Sequence, residues 1–85
     1  MNEIIIDCTA VHGRSDLHQV FAEALSFPEY YGKNLDALYD CLTAISGTIR
    51  MTNWEQNGMG VYARAVRKVL ETAAAHNPQL TIFFE

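Results

Sequence analysis

Cysteine is scarce: Cys8 and Cys41 are the only two in 85 residues. They form no CxxC and share no metal-ligand spacing with His12, His18 or His76, so a disulfide scaffold and a zinc module are excluded. Both cysteines read as reduced core thiols. Basic side chains are also few, six Lys and Arg against ten Asp and Glu. A net charge of −4 argues against direct nucleic-acid binding, which rests on clustered cations neutralising phosphates, and suits a basic partner. The N-terminus offers only Ile4 to Ile6 as a continuous aliphatic run, with Glu3 in its flank, too short and too acidic for a signal peptide. No stretch approaches the roughly 18 apolar residues that span a bilayer. The expectation is therefore a cytoplasmic protein without membrane contact. Repeats, low-complexity tracts and linkers are missing too. Residues 1–85 read as a single domain, burying roughly 60–65% of its unfolded surface. Apolar residues at 49% and charged ones at 19% are ordinary globular values, which excludes disorder and fibres.

The hydrophobic pattern predicts strand, helix, helix, strand, helix, strand. Glu3 to Cys8, with three consecutive isoleucines, reads as a central strand covered on both faces. Ser15 offers an N-cap to a helix whose apolar residues Leu17, Val20, Phe21, Ala24 and Leu25 recur at helical spacing, and Phe27-Pro28 ends it. A second helix runs from Asn34 to about Ile45. Thr48 to Trp54 alternates weakly, as an edge strand with one face partly exposed would. Asn57 to Gly60 is loop punctuation. A third helix carries Tyr62, Ala65, Val66, Val69, Leu70 and Ala73 on one face and Arg64, Arg67, Lys68 and Glu71 on a solvated one. Asn77-Pro78 stops it, and Leu80 to Phe84 makes the last strand. Strands separated by helical crossovers are normally parallel, so a small three-stranded parallel sheet is expected.

One segment carries more than a core requires. At about 100° per residue the second helix splits into an apolar stripe, Leu35, Leu38, Leu42 and Ile45 with Cys41 at its edge, and a second face of Asp36, Tyr39, Asp40 and Thr43. Tyr30, Tyr31 and Asn34 arrive from the preceding loop. Asp36 in the first turn complements the helix dipole, but Asp40 has no such explanation. Like charges four residues apart weaken a helix by a few tenths of a kcal/mol, so an acidic aromatic face open to water points to a cationic partner.

The run Pro28-Glu29-Tyr30-Tyr31-Gly32-Lys33-Asn34-Leu35-Asp36-Ala37-Leu38-Tyr39-Asp40-Cys41-Leu42-Thr43 resembles the corresponding segment of the barstar family, intracellular protein inhibitors of a bacterial ribonuclease. The resemblance extends through Ser15-Asp16-Leu17-His18-Gln19 and Leu80-Thr81-Ile82-Phe83-Phe84, while residues 44–60 match poorly. It implies a barstar-like α/β fold, a three-stranded parallel sheet packed by three or four helices. It also implies that Tyr30, Gly32, Asn34, Leu35, Asp36, Tyr39, Asp40 and Thr43 contact a nuclease. On that analogy the Asp40 carboxylate takes the place of an RNA phosphate, Tyr30 packs against the catalytic histidine and Asp36 meets a basic residue at the pocket rim. The partner implied is a small basic ribonuclease or nuclease toxin, bound one-to-one, with no cofactor and no metal. The chain departs from the family in three places. Tyr39 stands where the family has tryptophan, and Thr72 stands where it has a glutamate, with Glu71 adjacent. The shorter connection before the last helix implies a missing or reduced small helix there.

Other chemistries compete less well. Asp36 and Asp40 could be an acid and base pair, but a convex helix face does not split two carboxyl pKa values as a dry pocket does, so no enzyme is expected. The three histidines read as surface residues without a carboxylate orienter. Asp7 at a strand end lacks the further acids of a phosphate-accepting site, and Gly58-Met59-Gly60 reads as a loop before a helix. A different class of function is an acidic adaptor that binds a basic partner without blocking an active site.

Overall fold

The computed structural model describes residues 3–85. Met1 and Asn2, at the head of the expected domain, lie outside the described residues. The chain forms β1 (Glu3–Asp7), α1 (Arg14–Ala24), α2 (Leu35–Leu42), β2 (Gly47–Thr52), α3 (Tyr62–His76) and β3 (Leu80–Phe84), in the expected order. Three-residue 3-10 turns occupy Cys8–Ala10 and Trp54–Gln56. Both neighbouring strand pairs of the three-stranded sheet are parallel, as the resemblance implies.

Strand order corrects one expectation. The sheet runs β1-β2-β3, so β2 is central and β1, with its isoleucine run, is an edge. Ile6 is buried and Ile4 half-buried, whereas Ile5 is 63% exposed. On β2, Ile49 and Met51 are fully buried while Thr48, Arg50 and Thr52 are not. The three helices therefore cover only one face of the sheet. Alternation along a strand reports which face is wet and carries no information about strand order, which is why the alternating β2 resembled an edge. On the open face Ile5, Arg50 and Phe83 share one register row. The Arg50 guanidinium crosses that row, donating to Glu3 at 2.7 Å and to Glu85, and lies 4.7 Å from the Phe83 ring centroid. Its stem and plane shield apolar surface that no helix reaches.

The other face carries one cluster of buried side chains. Leu17 and Phe21 of α1, Leu38 and Leu42 of α2, and Val66, Leu70 and Ala73 of α3 meet Ile6, Ile49 and Met51. Truncating one such aliphatic side chain to alanine costs about 2–5 kcal/mol. Helix α1 begins at Arg14 after Gly13, which supplies no side-chain cap, so Ser15 lies inside the first turn and is not the N-cap. Gly58 is constrained by backbone packing. Its N–H donates to the Val11 carbonyl at 2.7 Å, and a Cβ there would stand 3.0 Å from the His12 Cα.

Candidate functional site

Helix α2 is short, and the surrounding chain clamps it at both ends. Asn34 is the N-cap, its side-chain oxygen accepting the Ala37 N–H at 2.8 Å, while its Nδ2 donates to the Gly32 carbonyl at 3.3 Å. A Cβ on Gly32 would lie 3.0 Å from that same Nδ2. At the other end the buried Asn77 side chain donates to the Leu42 carbonyl at 3.0 Å and the Ile45 carbonyl at 2.7 Å, and accepts the Gln79 N–H at 3.1 Å. The carbonyl of the last helical residue, Leu42, and that of Ile45 in the loop after it are thereby satisfied. Leu38 and Leu42 face inward and are fully buried, with Leu35, Cys41 and Ile45 half-buried beside them.

The loop before α2 is held by its second tyrosine. Tyr31 is buried, its ring 4.9 Å from that of Phe27 and its hydroxyl 2.6 Å from His18 Nδ1. The Tyr62 hydroxyl lies 2.8 Å from the other ring nitrogen of His18. His18 is thus a buried junction of α1, the loop and α3, which corrects its assignment to the surface. Burial, and then the nearby Arg14 charge, hold its pKa below the ordinary 6.5. A neutral imidazole donates from one nitrogen and accepts at the other, and two hydroxyls match either tautomer. Only the two tyrosines across the chain reveal this role, and no local pattern announces it. With Tyr31 turned in, Tyr30 is turned out and is 88% exposed.

On the polar side of α2, Asp36, Asp40 and Thr43 are exposed. Among the described residues no Lys, Arg or His lies within ion-pair distance of either aspartate. Tyr39 departs from the expected open face. It is half-buried, leaning on α3 with its hydroxyl 2.8 Å from His76 Nδ1. Three shallow clefts flank the aspartates, one of them, of about 260 Å³, lined by Arg14, Asn34, Leu35, Asp36 and Tyr62; the other two lie on either side of α2. One, of about 370 Å³, has Tyr30, Asp40 and Cys41 in its lining. The other, of about 340 Å³ between α2 and α3, is lined by Leu35, Asp36, Tyr39, Lys68 and Thr72 among others. The structure thus brings Tyr30 together with Asp40, and Leu35 and Asp36 together with Tyr39. Gly32 and Asn34 shape the helix start, and Thr43 closes the far end, donating its hydroxyl to the Asp40 carbonyl at 2.8 Å.

A family model described as Barstar (barnase inhibitor) matches residues 1–84. The chain belongs to the barstar family. Among curated proteins, "Putative ribonuclease inhibitor YrdF" of Bacillus subtilis (strain 168) is 40% identical over an alignment of 78 positions that covers 86% of this chain and 86% of the relative.

Departures from the barstar pattern now have positions. Thr72 lines the cleft beside Asp36 and Tyr39, its hydroxyl donating to the Lys68 carbonyl at 2.7 Å. Glu71 is exposed and paired with Arg67 at 3.3 Å. The cleft beside Asp36 and Tyr39 thus holds a neutral threonine and a lysine from α3, and Glu71 is not in its lining. Arg67 is not simply solvated, since its guanidinium lies 4.2 Å from the Phe84 ring centroid and 5.9 Å from that of Trp54. Between β2 and α3, Trp54–Gln56 forms only a single 3-10 turn, the reduced helix anticipated from the short connection.

The remaining candidates have structural duties. Asp7 accepts from the Thr9 N–H at 3.0 Å, the Thr9 hydroxyl at 2.8 Å and Asn53 Nδ2 at 3.1 Å, and these bonds lower its pKa. Cys8 is buried, which pushes its thiol up to about 11, so it stays protonated and inert. Cys41 is a free thiol like Cys8 but only half-buried, less enclosed than a core thiol should be. His12 is exposed, its N–H accepted by Asp16 at 3.0 Å. Among the described residues, no three His, Cys, Asp or Glu side chains converge as a metal site, and no helix is long and apolar enough to cross a membrane.

Proposed function

We propose that the chain is a single-domain ribonuclease inhibitor that occludes the basic active site of a small nuclease or nuclease toxin, one-to-one, with the loop before α2 and the acidic face of α2. Asp40 occupies the place of an RNA phosphate and Asp36 meets a cation at the rim. Tyr30 packs on the catalytic side chains, while Gly32, Asn34, Leu35, Tyr39 and Thr43 complete the contact surface. The nuclease must hold phosphates with Arg, Lys or His, and a carboxylate fixed on a helix satisfies the same groups without offering a bond to cleave. The chain itself performs no catalytic step.

The observation that carries this reading is the pair of exposed carboxylates on α2, which lack a cationic partner among the described residues although both ends of their helix are clamped. Membership of the barstar family and similarity to a protein named as a ribonuclease inhibitor support the same class of activity. Exposed Tyr30 adds support, because an aromatic ring in water contributes little to stability and much to an interface anchor.

The test is a titration of ribonuclease turnover in the host extract, then of the purified nuclease captured by this protein. Inhibition reaching completion at equimolar ratio, and weakened at least tenfold by Asp40→Ala but not by Glu71→Ala, is the expected result; tenfold corresponds to about 1.4 kcal/mol, the lower end for a hydrogen bond to a charged group. Capture of a nuclease whose turnover continues would replace inhibition with the adaptor function.

A further inference from the structure

The first turn of α1 and the loop before α2 enclose a cleft of about 240 Å³ lined by Arg14, Ser15, His18 and Lys33. Arg14, Lys33 and Ser15 bring a guanidinium, an ammonium and a hydroxyl to its lining, in a chain whose net charge is −4. Among the described residues, neither Arg14 nor Lys33 has a carboxylate within ion-pair distance. Placing two like charges around one concavity is unfavourable, and both side chains are exposed, so core packing does not require them.

The cleft is also built to keep its shape. The Arg14 guanidinium lies 5.7 Å from the Tyr62 ring centroid, and the Tyr62 hydroxyl in turn engages His18 at 2.8 Å. His18, at the back of the cleft, is fixed from its other nitrogen by Tyr31 at 2.6 Å. Lys33 reaches the rim from a left-handed backbone at φ 54°. That conformation costs a non-glycine residue about 1 kcal/mol or more, and such strain clusters where a side chain has a ligand to meet.

We propose that this cleft is a binding site for a phosphate-class oxyanion. The planar guanidinium of Arg14 can give two parallel donors to two oxygens, Lys33 a point charge to a third, and Ser15 a hydroxyl. A carboxylate, with two oxygens, leaves part of this donor set unused, whereas a phosphate group has acceptors for all of it. The cleft itself has neither Asp36 nor Asp40 in its lining, but it borders the acidic face, since Arg14 also lines an adjoining cleft of about 260 Å³ with Asn34, Leu35, Asp36 and Tyr62. The proposal does not depend on ribonuclease inhibition, and either can fail alone. Occupancy also has a consequence at His18. The Arg14 charge disfavours protonation of the imidazole, so an anion that neutralises Arg14 must, by reciprocity, let His18 take up a proton more readily.

The experiment is an NMR titration of the uniformly labelled protein with inorganic phosphate, against sodium chloride at matched ionic strength. Saturable shifts at Arg14, Ser15 and Lys33 in phosphate alone are expected. Arg14→Gln and Lys33→Gln should each weaken the apparent affinity about tenfold or more, as loss of a charge-assisted bond does, and Arg64→Gln on α3 should not. The His18 pKa should rise with phosphate in the parent protein and stay unchanged in Arg14→Gln. A second arm with a nucleoside 3′-monophosphate separates sources: tighter binding than inorganic phosphate assigns a nucleotide, equal or weaker binding assigns the free ion. Shifts reproduced by chloride, or surviving in Lys33→Gln with unchanged saturation, overturn the proposal. Both positions are exposed, and the dispersion of the same spectra reports that each variant is folded.

Discussion

The Tyr39 hydroxyl lies 2.8 Å from Nδ1 of His76, tying the middle of α2 to the last turn of α3. The two rings meet edge to face, 6.2 Å between centroids at 84°. A tyrosine that stands on the acidic face thereby also orients that face against its neighbouring helix. Tyr39→Phe keeps the ring and removes the bond, and His76→Ala removes the partner. Each should lower stability by about 0.5–1 kcal/mol, the net worth of one hydrogen bond, with the exposure of His76 favouring the smaller value. In a double-mutant cycle read by urea denaturation the two losses should not add, and full additivity would show that the contact contributes nothing.

Asn77 is the stronger tie. Asn77→Ala strands the Leu42 and Ile45 carbonyls and the Gln79 N–H at once, and two of those three bonds reach across from the end of α3 to the end of α2. With about 1–3 kcal/mol for each buried group left unpaired, partly relieved by water at this edge, a loss of about 2–4 kcal/mol is expected. Hydrogen exchange should show protection falling first at the C-terminal turn of α2. A drop below 1 kcal/mol would mean that α2 is held by its leucines alone.

Element order and the two faces of α2 were legible because each follows from periodicity within one segment: Leu38 and Leu42 recur at helical spacing, and Ile49 and Met51 alternate; the parallel sheet then followed from the helical crossovers between strands. What failed depends on partners distant in the chain. Ile4 to Ile6 gave no sign that β2 would take the centre, since a three-strand sheet bare on one face lets a central strand alternate. His18 looked like surface because its partners Tyr31 and Tyr62 lie 13 and 44 residues away. Tyr39 belongs to the acidic face by helical angle, and its lean toward His76 is set by α3, which angle alone does not contain. Asn77 read as a stop signal, and its anchoring of α2 is a tertiary fact.

Stability should depend on pH through His18. Its folded pKa lies below 6.5, chiefly from burial and secondarily from Arg14, so as pH falls below about 6.5 the unfolded chain takes up a proton that the folded chain refuses. Stability is then lost as pH drops through this window, by up to about 1.4 kcal/mol per pH unit, until the folded imidazole itself titrates. Asp7 acts in a separate window, because its carboxyl is held below 3.8 and loses its contribution only at more acid pH. Urea midpoints between pH 7.5 and 5.5 should fall for the parent protein and flatten in His18→Gln. An equal fall in that variant would assign the dependence elsewhere.

Gly32 and Asn34 should behave as one unit. A methyl group added at Gly32 would stand 3.0 Å from Asn34 Nδ2 and in ordinary contact, 3.5 Å, with the Ala37 Cβ, so the asparagine amide that caps α2 must give by a few tenths of an ångström. Asn34→Ala removes the cap directly, at about 1 kcal/mol, and Gly32→Ala should cost at most that amount by disturbing it. If the displacement is the cause, the double variant loses little more than either single one, because the second substitution has no cap left to disturb. The same change should reach Tyr30, two residues before Gly32, by loosening the loop that presents it. Under the proposed function, association with the nuclease should therefore slow in Gly32→Ala even though no contacting side chain is removed. Additive losses in the pair would instead place the strain of an alanine at Gly32 in its own backbone, independent of Asn34.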